Sequence, residues 1–207
     1  MSGVLARLLM RYARGQAAAV ADFVVGSRML DLGAAEAYVP AVLSARTGTW
    51  TCGVDIGVYR RVSVPYVVYD GCRLPFRDAA FDTTLLLLTL HHCEAPEVVL
   101  DEAIRVTRQR LVVTESVYRT SRERFWLDLL DGRVNRFRHE GAMRPALHVR
   151  RPEEWRRLFE TRALSIVATR CLGSAVERLV HHPVLWALDV APARTFSAAC
   201  SPSCPPR

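Results

Sequence analysis

Met29-Leu30-Asp31-Leu32-Gly33-Ala34-Ala35-Glu36-Ala37 carries the clearest strand-to-helix signal in the chain. Arg28–Leu32 is a short apolar run that closes on an acid and a glycine, the pattern of a strand running into a tight turn. Behind the turn, Ala35–Arg46 is alanine-rich and helical in character, with Pro40 expected in its first turn or at a kink. Outward from this unit the alternation continues. Thr49–Val54 reads as a strand ending at Asp55, and Val62–Tyr69 as a strand ending beside Asp70. Only about fifteen residues separate the two acids, so the helix between them is expected to be stunted or replaced by a loop.

Thr83–Leu90 is apolar on both faces, as a fully buried parallel strand is. Pro96 opens a helix over Glu97–Arg108, with Val99, Leu100, Ala103, Ile104 and Val106 inward and an Asp101–Arg105 pair at i,i+4 outside. Leu111–Thr114 is a further buried strand. Alternation with short connections implies a doubly wound, mostly parallel α/β sheet with right-handed crossovers. From Ser116 to Val149 the rhythm breaks into an arginine-rich, aromatic stretch, expected to be a small helical cap insertion. Regular structure resumes at Arg151-Pro152-Glu153-Glu154-Trp155, a helix start, followed by candidate strands Leu164–Thr169 and Val184–Asp189. The expected organisation is one domain over residues 1–190, with 1–25 as an N-terminal helix, 116–149 as the cap, and 191–207 as a disordered Pro/Ser/Cys-rich tail.

Composition bounds the function. The chain of 207 residues is half hydrophobic and about a quarter charged, which suits one globular domain. Its longest clean apolar stretch, Leu85–Leu90, is too short to span a bilayer. All 28 basic residues are arginine, so the net charge of +7 looks like codon bias more than a nucleic-acid surface, although Arg60-Arg61 and Arg150-Arg151 are candidate phosphate contacts. The six cysteines at 52, 72, 93, 171, 200 and 204 include no CxxC pair and offer no zinc spacing. Cys52, Cys72 and Cys93 read as small hydrophobes, and the chain as reduced and cytoplasmic. Arg7, Arg11 and Arg14 interrupt any secretory apolar core in Val4–Val24. A mitochondrial-type presequence is one reading of that stretch, and an amphipathic helix packed on the domain edge the favoured one.

An open parallel sheet binds ligands beyond the carboxyl ends of its strands. Those ends carry Asp31 and Gly33, Asp55, Asp70, and Thr89–His92. A carboxylate accepts paired hydrogen bonds from vicinal hydroxyls such as those of a ribose. One acid per strand end, in order, points to a nucleoside-bearing ligand. His91 and His92 titrate near neutrality and are candidates for a general base or an acceptor-orienting group, or for packing at the sheet edge. His181-His182 reads as loop packing. In the cap, Trp126 and Phe137 are candidate pocket walls, and Asp128, Asp131, Asn135 and His139 candidate acceptor contacts.

The motifs carry a resemblance. Met29–Gly33 resembles the first motif of class I methyltransferases dependent on S-adenosylmethionine, and Gly53-Val54-Asp55-Ile56 the second. Asp70-Gly71-Cys72-Arg73-Leu74-Pro75-Phe76-Arg77-Asp78-Ala79-Ala80-Phe81-Asp82 is similar to the D-x-x-x-LPF-x-D-x-x-FD signature of the type 11 group, which includes quinone- and sterol-biosynthesis methyltransferases. Leu90-His91-His92 and Leu100-x-Glu102-x-x-Arg105-Val106 extend the match. The resemblance implies a Rossmann-like sheet and methyl transfer from S-adenosylmethionine to a small-molecule acceptor. By the same resemblance Asp31, Gly33 and Ala35 face the methionine part, and Asp55 with Ile56 the ribose. Asp70 and Gly71 face the adenine, Thr89 and Leu90 lie beneath the sulfonium, and His91 and His92 face the acceptor. The group's D-x-G-x-G-x-G turn is degenerate here, with Ala35 and Ala37 in place of two glycines.

The alternative is a non-catalytic, methyltransferase-like binding or scaffold module, which the eroded turn favours. A nucleic-acid methyltransferase is disfavoured because Thr89-Leu90-His91-His92 stands where an Asn/Asp-Pro-Pro-aromatic block belongs. A nicotinamide dehydrogenase is disfavoured because G-x-G-x-x-G is absent. No metal, no membrane span and no nucleic-acid partner are expected; acceptor and oligomeric state are left open.

Overall fold

The fold is that of a computed structural model, which describes residues 3–127, 129, 148–173 and 182–191. Helix α1 (Gly3–Val20) leads into a short 3-10 turn and strand β1 (Arg28–Leu32); α2 (Tyr38–Thr47) connects to β2 (Trp50–Asp55). A loop reaches β3 (Tyr66–Val68), followed by β4 (Phe81–Leu87), α3 (Pro96–Val106) and β5 (Thr107–Val117). Helix α4 (Pro152–Glu160), β6 (Ser165–Cys171) and β7 (His182–Asp189) complete the chain. The seven strands form one sheet in the order β3-β2-β1-β4-β5-β7-β6. All neighbours are parallel except β7, which runs antiparallel to both β5 and β6.

Two apolar layers flank the sheet. One joins Leu30, Leu32 and Leu86 to Val99 and Leu100 of α3 and to Trp155 and Phe159 of α4. The other joins Met29, Leu85 and Val112 to Ala17 and Val20 of α1 and Leu43 of α2. Adjacent residues of β4 feed opposite layers, which is why Phe81–Leu86 is buried throughout. Leu9, Ala13, Ala17 and Val20 bury one stripe of α1, so this segment packs on the sheet as an amphipathic helix.

Several boundaries differ from expectation. Strand β3 is only three residues long, because Pro65 has no N–H for a ladder and the loop before it folds back through Arg61 N–H to the Glu36 carbonyl. Strand β4 stops at Leu87, since Leu88 turns to a left-handed φ of 59°. Helix α3 ends at Val106, and β5 starts at once and runs to Val117, so Ser116 lies in the sheet and not in a cap. His182 and Pro183 begin β7, opposite Val117 and Ser116, instead of forming a loop. Residues 121–127 are helical, and Phe125 and Trp126 are exposed. Asp128, Asp131, Asn135, Phe137, His139 and His181, and residues 192–207 of the expected tail, lie outside the described residues. The reading of all cysteines as reduced is corrected at Cys72, which is disulfide-bonded; Cys52, Cys93 and Cys171 are free.

Candidate functional site

The strand order reverses between β1 and β4, and the carboxyl ends of β3, β2, β1 and β4 stand side by side there. Asp31 lies on β1 in register with Gly53 of β2 and Leu85 of β4. It is 2 % exposed, and its Oδ1 has no hydrogen-bond partner. Burial, then the nearby Asp55 carboxylate, push its carboxyl up to about 7. Gly33 follows at φ 81° and donates to the Val54 carbonyl at 2.8 Å. A side chain there would meet Thr89 Cγ2 and Oγ1 at 2.5 Å, so the turn must be glycine for both reasons.

Ala35 and Ala37 hold left-handed φ angles of 44° and 63°. The backbone therefore keeps the shape that glycine suits, at a cost of about 1–2 kcal/mol for each alanine. Ala35 N–H donates to Asp55 Oδ2 at 2.9 Å, tying this turn to the end of β2, and Ile56 N–H donates to Asp55 Oδ1 at 2.8 Å. Burial raises the Asp55 carboxyl, while these two N–H groups oppose the rise. Each oxygen has accepted one bond and retains capacity for another. Ile56 is exposed beside it. Two residues past β3, Asp70 Oδ1 accepts N–H bonds from Cys72 (2.8 Å) and Arg73 (2.7 Å), shaping the turn at Gly71, whose φ is 84°.

On the far side of β1, Thr89 Oγ1 donates to the Leu32 carbonyl at 3.1 Å, and Leu90–His92 form a 3-10 turn. Leu90 and His91 are buried and His92 is half-buried, its ring centroid 4.0 Å from that of His91. One residue holding this segment is missed by sequence reasoning: Glu115 of β5, fully buried. Its Oε1 accepts N–H bonds from Thr89 (3.2 Å) and Leu90 (2.8 Å), and its Oε2 contacts His91 Nδ1. Glutamate inside a strand carries no signal for this, because the groups it serves lie some 25 residues away.

The LPF signature is a clamp rather than a ligand contact. Glu102 Oε2 accepts Leu74 N–H at 2.8 Å. Arg105 donates to the carbonyls of Leu74 (3.1 Å) and Phe76 (2.8 Å) and to Asp78 Oδ1 (2.7 Å), while its Nε reaches Glu102 at 2.7 Å. The expected Asp101–Arg105 pair is corrected: Arg105 turns to this loop, and Asp101 pairs with Arg162 at 2.6 Å. Charge-assisted bonds to a partly buried loop outweigh an exposed i,i+4 pair, worth only about 0.2–0.5 kcal/mol. Asp82 is structural too. Its Oδ2 accepts Ser27 N–H (2.9 Å) and Arg28 N–H (3.1 Å), and Gly26 leaves room for it.

The cradle suits a nucleoside ligand with a cationic amino-acid end. The unpaired Asp31 oxygen lacks a donor, and the Asp55 and Asp70 carboxylates edge the same row of strand ends. Among the described residues no cluster of three or more His, Cys, Asp or Glu could hold a metal, and no helix is long and apolar enough to cross a membrane.

This sheet order, with one antiparallel strand, is that of the class I methyltransferase fold. Comparison with known proteins agrees. Residues 30–112 match the family model described as a methyltransferase domain. A demethylmenaquinone methyltransferase of Mycobacterium sp. (strain KMS) is 36% identical over 119 residues, which is 54% of this chain and 51% of that protein. The chain thus spans about half the length of that curated relative. Among solved structures, geranyl diphosphate C-methyltransferase from Streptomyces coelicolor A3(2), in complex with Mg2+, geranyl-S-thiolodiphosphate and S-adenosyl-L-homocysteine, superposes with a TM-score of 0.64 at 14% identity, over 85% of this chain and 75% of that one. The [4+2]-cyclase SpnF superposes with a TM-score of 0.66 at 14% identity, over 87% and 81%. The fold is therefore shared by proteins named for different reactions.

Proposed function

We propose that this protein binds S-adenosylmethionine across the carboxyl ends of β1 to β4 and transfers its methyl group to a small-molecule acceptor. The observation that carries the reading is the buried, unpartnered Asp31 carboxyl at the point where the strand order reverses. Asp31, with the turn Gly33–Ala35, takes the amino-acid end; Asp55 and the adjacent Ile56 take the ribose; Asp70 and Gly71 take the adenine. Thr89 and Leu90 form the floor under the reacting centre. When bound, the sulfonium supplies an already activated methyl group, so the protein's task is to hold the acceptor in line with it and keep water away. Glu115 fixes His91 in the wall, and the half-buried His92 is the group placed to accept a proton from an acceptor hydroxyl.

A second reading, a non-catalytic module, is favoured by the left-handed Ala35 and Ala37, which weaken the turn. Titration calorimetry with S-adenosylhomocysteine separates the two. Binding weaker than is typical of such folds is expected; no heat and no thermal shift at millimolar ligand would sink the catalytic reading. Transfer of labelled methyl from S-adenosylmethionine to members of a small-molecule panel then tests the reaction itself.

A further inference from the structure

Ala35 and Ala37 stand in left-handed backbone, the shape that glycine adopts freely. An alanine left to itself disfavours that shape by roughly five- to thirty-fold. Groups outside the turn must therefore hold it, and the peptide groups of Ala35 and Glu36 show which ones do. Ala35 N–H donates to Asp55 Oδ2 at 2.9 Å. The Ala35 carbonyl lies 3.3 Å from the Tyr66 hydroxyl, and the Glu36 carbonyl accepts Arg61 N–H at 2.9 Å. Two of these three holds come from residues 56–65, which join β2 to β3 without a helix, and from Tyr66 directly after them.

Tyr66 opens β3 in register with Gly53 of β2. A Cβ at position 53 would meet the Tyr66 ring at 3.0 Å, so glycine there lets the ring lie close across β2 and reach the turn. The Tyr66 O–H is shared between two carbonyls, that of Ala35 on the turn and that of Gly57 on the loop at 3.1 Å. Tyr59 N–H donates to the same oxygen. Burial, then the Asp55 carboxylate, push the phenol above its usual value, so it remains protonated and a donor across the neutral range. One hydroxyl thus ties the loop to the turn.

We propose that Tyr66 is a positioning residue, whose hydroxyl straps the Ala35 carbonyl to the loop at Gly57 and Tyr59 and so keeps the turn in the left-handed shape that receives the amino-acid end of the cofactor. The strap does the work of the glycines that the turn lacks. Its effect on a ligand rests on the S-adenosylmethionine reading of the turn; its effect on the turn does not. Without the hydroxyl, alanine relaxes towards its ordinary backbone, and a ligand that needs the turn binds only the fraction of molecules that still form it.

The test is a double-mutant cycle on the full chain: wild type, Tyr66→Phe, Ala35→Gly and the two combined. Two quantities are read on each protein. One is S-adenosylhomocysteine affinity by titration calorimetry. The other is the exchange protection of the Ala37 amide, which closes the turn through its bond to the Ala34 carbonyl at 2.7 Å. Tyr66→Phe keeps the ring and removes the hydroxyl. Alone, it is expected to weaken affinity about five-fold and to lower Ala37 protection by a similar factor. In the Ala35→Gly background, where residue 35 no longer resists the turn, the same change should alter either quantity by less than about two-fold. Equal losses in both backgrounds would make Tyr66 a ligand contact or a packing group and overturn the proposal. So would affinity or Ala37 protection left untouched by Tyr66→Phe alone. If none of the four proteins binds S-adenosylhomocysteine while Ala37 protection responds as stated, the S-adenosylmethionine reading falls and the strap stands; binding by all four with no coupling between the two positions gives the converse.

Discussion

Asp31 shows how one side chain couples the site to pH. Burial and the neighbouring Asp55 raise its carboxyl from 3.8 to about 7, so between those values the folded protein keeps a proton that the unfolded chain has released. Stability from this group therefore falls as pH rises through that window, by on the order of a few kcal/mol when complete. Asp31→Asn, neutral throughout, is expected to flatten that decline when melting temperature is followed from pH 4 to pH 8; parallel wild-type and variant profiles would contradict the placement. Ala35 makes a second point at this scale. Ala35→Gly should tighten S-adenosylhomocysteine binding by up to roughly five-fold, about 1 kcal/mol, because losing the methyl lets the backbone approach the ligand more closely. Stability should hardly change, because the glycine also loosens the unfolded chain. Unchanged affinity by calorimetry would mean that the turn does not cradle the ligand. Asp31, Gly33 and Asp55 were legible in the sequence because each ends a short apolar run. Glu115 was not, since its importance comes from the Thr89 and Leu90 N–H groups that the fold brings to it from beyond β4.

Among elements, the strand ends divide between chemistry and scaffolding, and paired substitutions distinguish the two. Against the burial that would raise it, the Ser27 and Arg28 N–H groups and the Arg108 guanidinium hold the Asp82 carboxyl below the usual carboxylate range. Asp82→Ala should cost about 1.5–3 kcal/mol in urea denaturation and leave S-adenosylhomocysteine affinity almost unchanged. Asp55→Ala should do the reverse, and equal effects on binding would count against Asp55 at the ribose. Arg105→Lys replaces a fork that spans two carbonyls and two carboxylates by a single ammonium. A loss of about 2 kcal/mol in the same denaturation assay is expected; no loss would mean that the clamp does not hold the loop. Helix starts were legible from Pro96 and Pro152. The ends of β3, β4 and β5 were not, because they depend on Pro65, on the turn at Leu88 and on a partner strand distant in sequence.

For the molecule as a whole, alternation along the chain predicted the parallel half of the sheet, β3-β2-β1-β4-β5. It was silent on β7 passing antiparallel between β5 and β6, because that choice is fixed by contacts across the chain such as Arg110 with Asp189, 2.7 Å apart. A ligand at the β1–β4 switch point should stabilise the entire domain: at a hundred-fold excess over its dissociation constant S-adenosylhomocysteine adds about 2.7 kcal/mol. A melting temperature that climbs with ligand concentration would show this, and one that stays flat would exclude the site. The clamp around Leu74, Phe76 and Asp78 has a consequence for divergence. The Leu74–Asp78 stretch of the block that makes the chain recognisable is committed to holding a loop. Sorting relatives by Leu74–Asp78 therefore groups them by how this loop is held, not by what they bind.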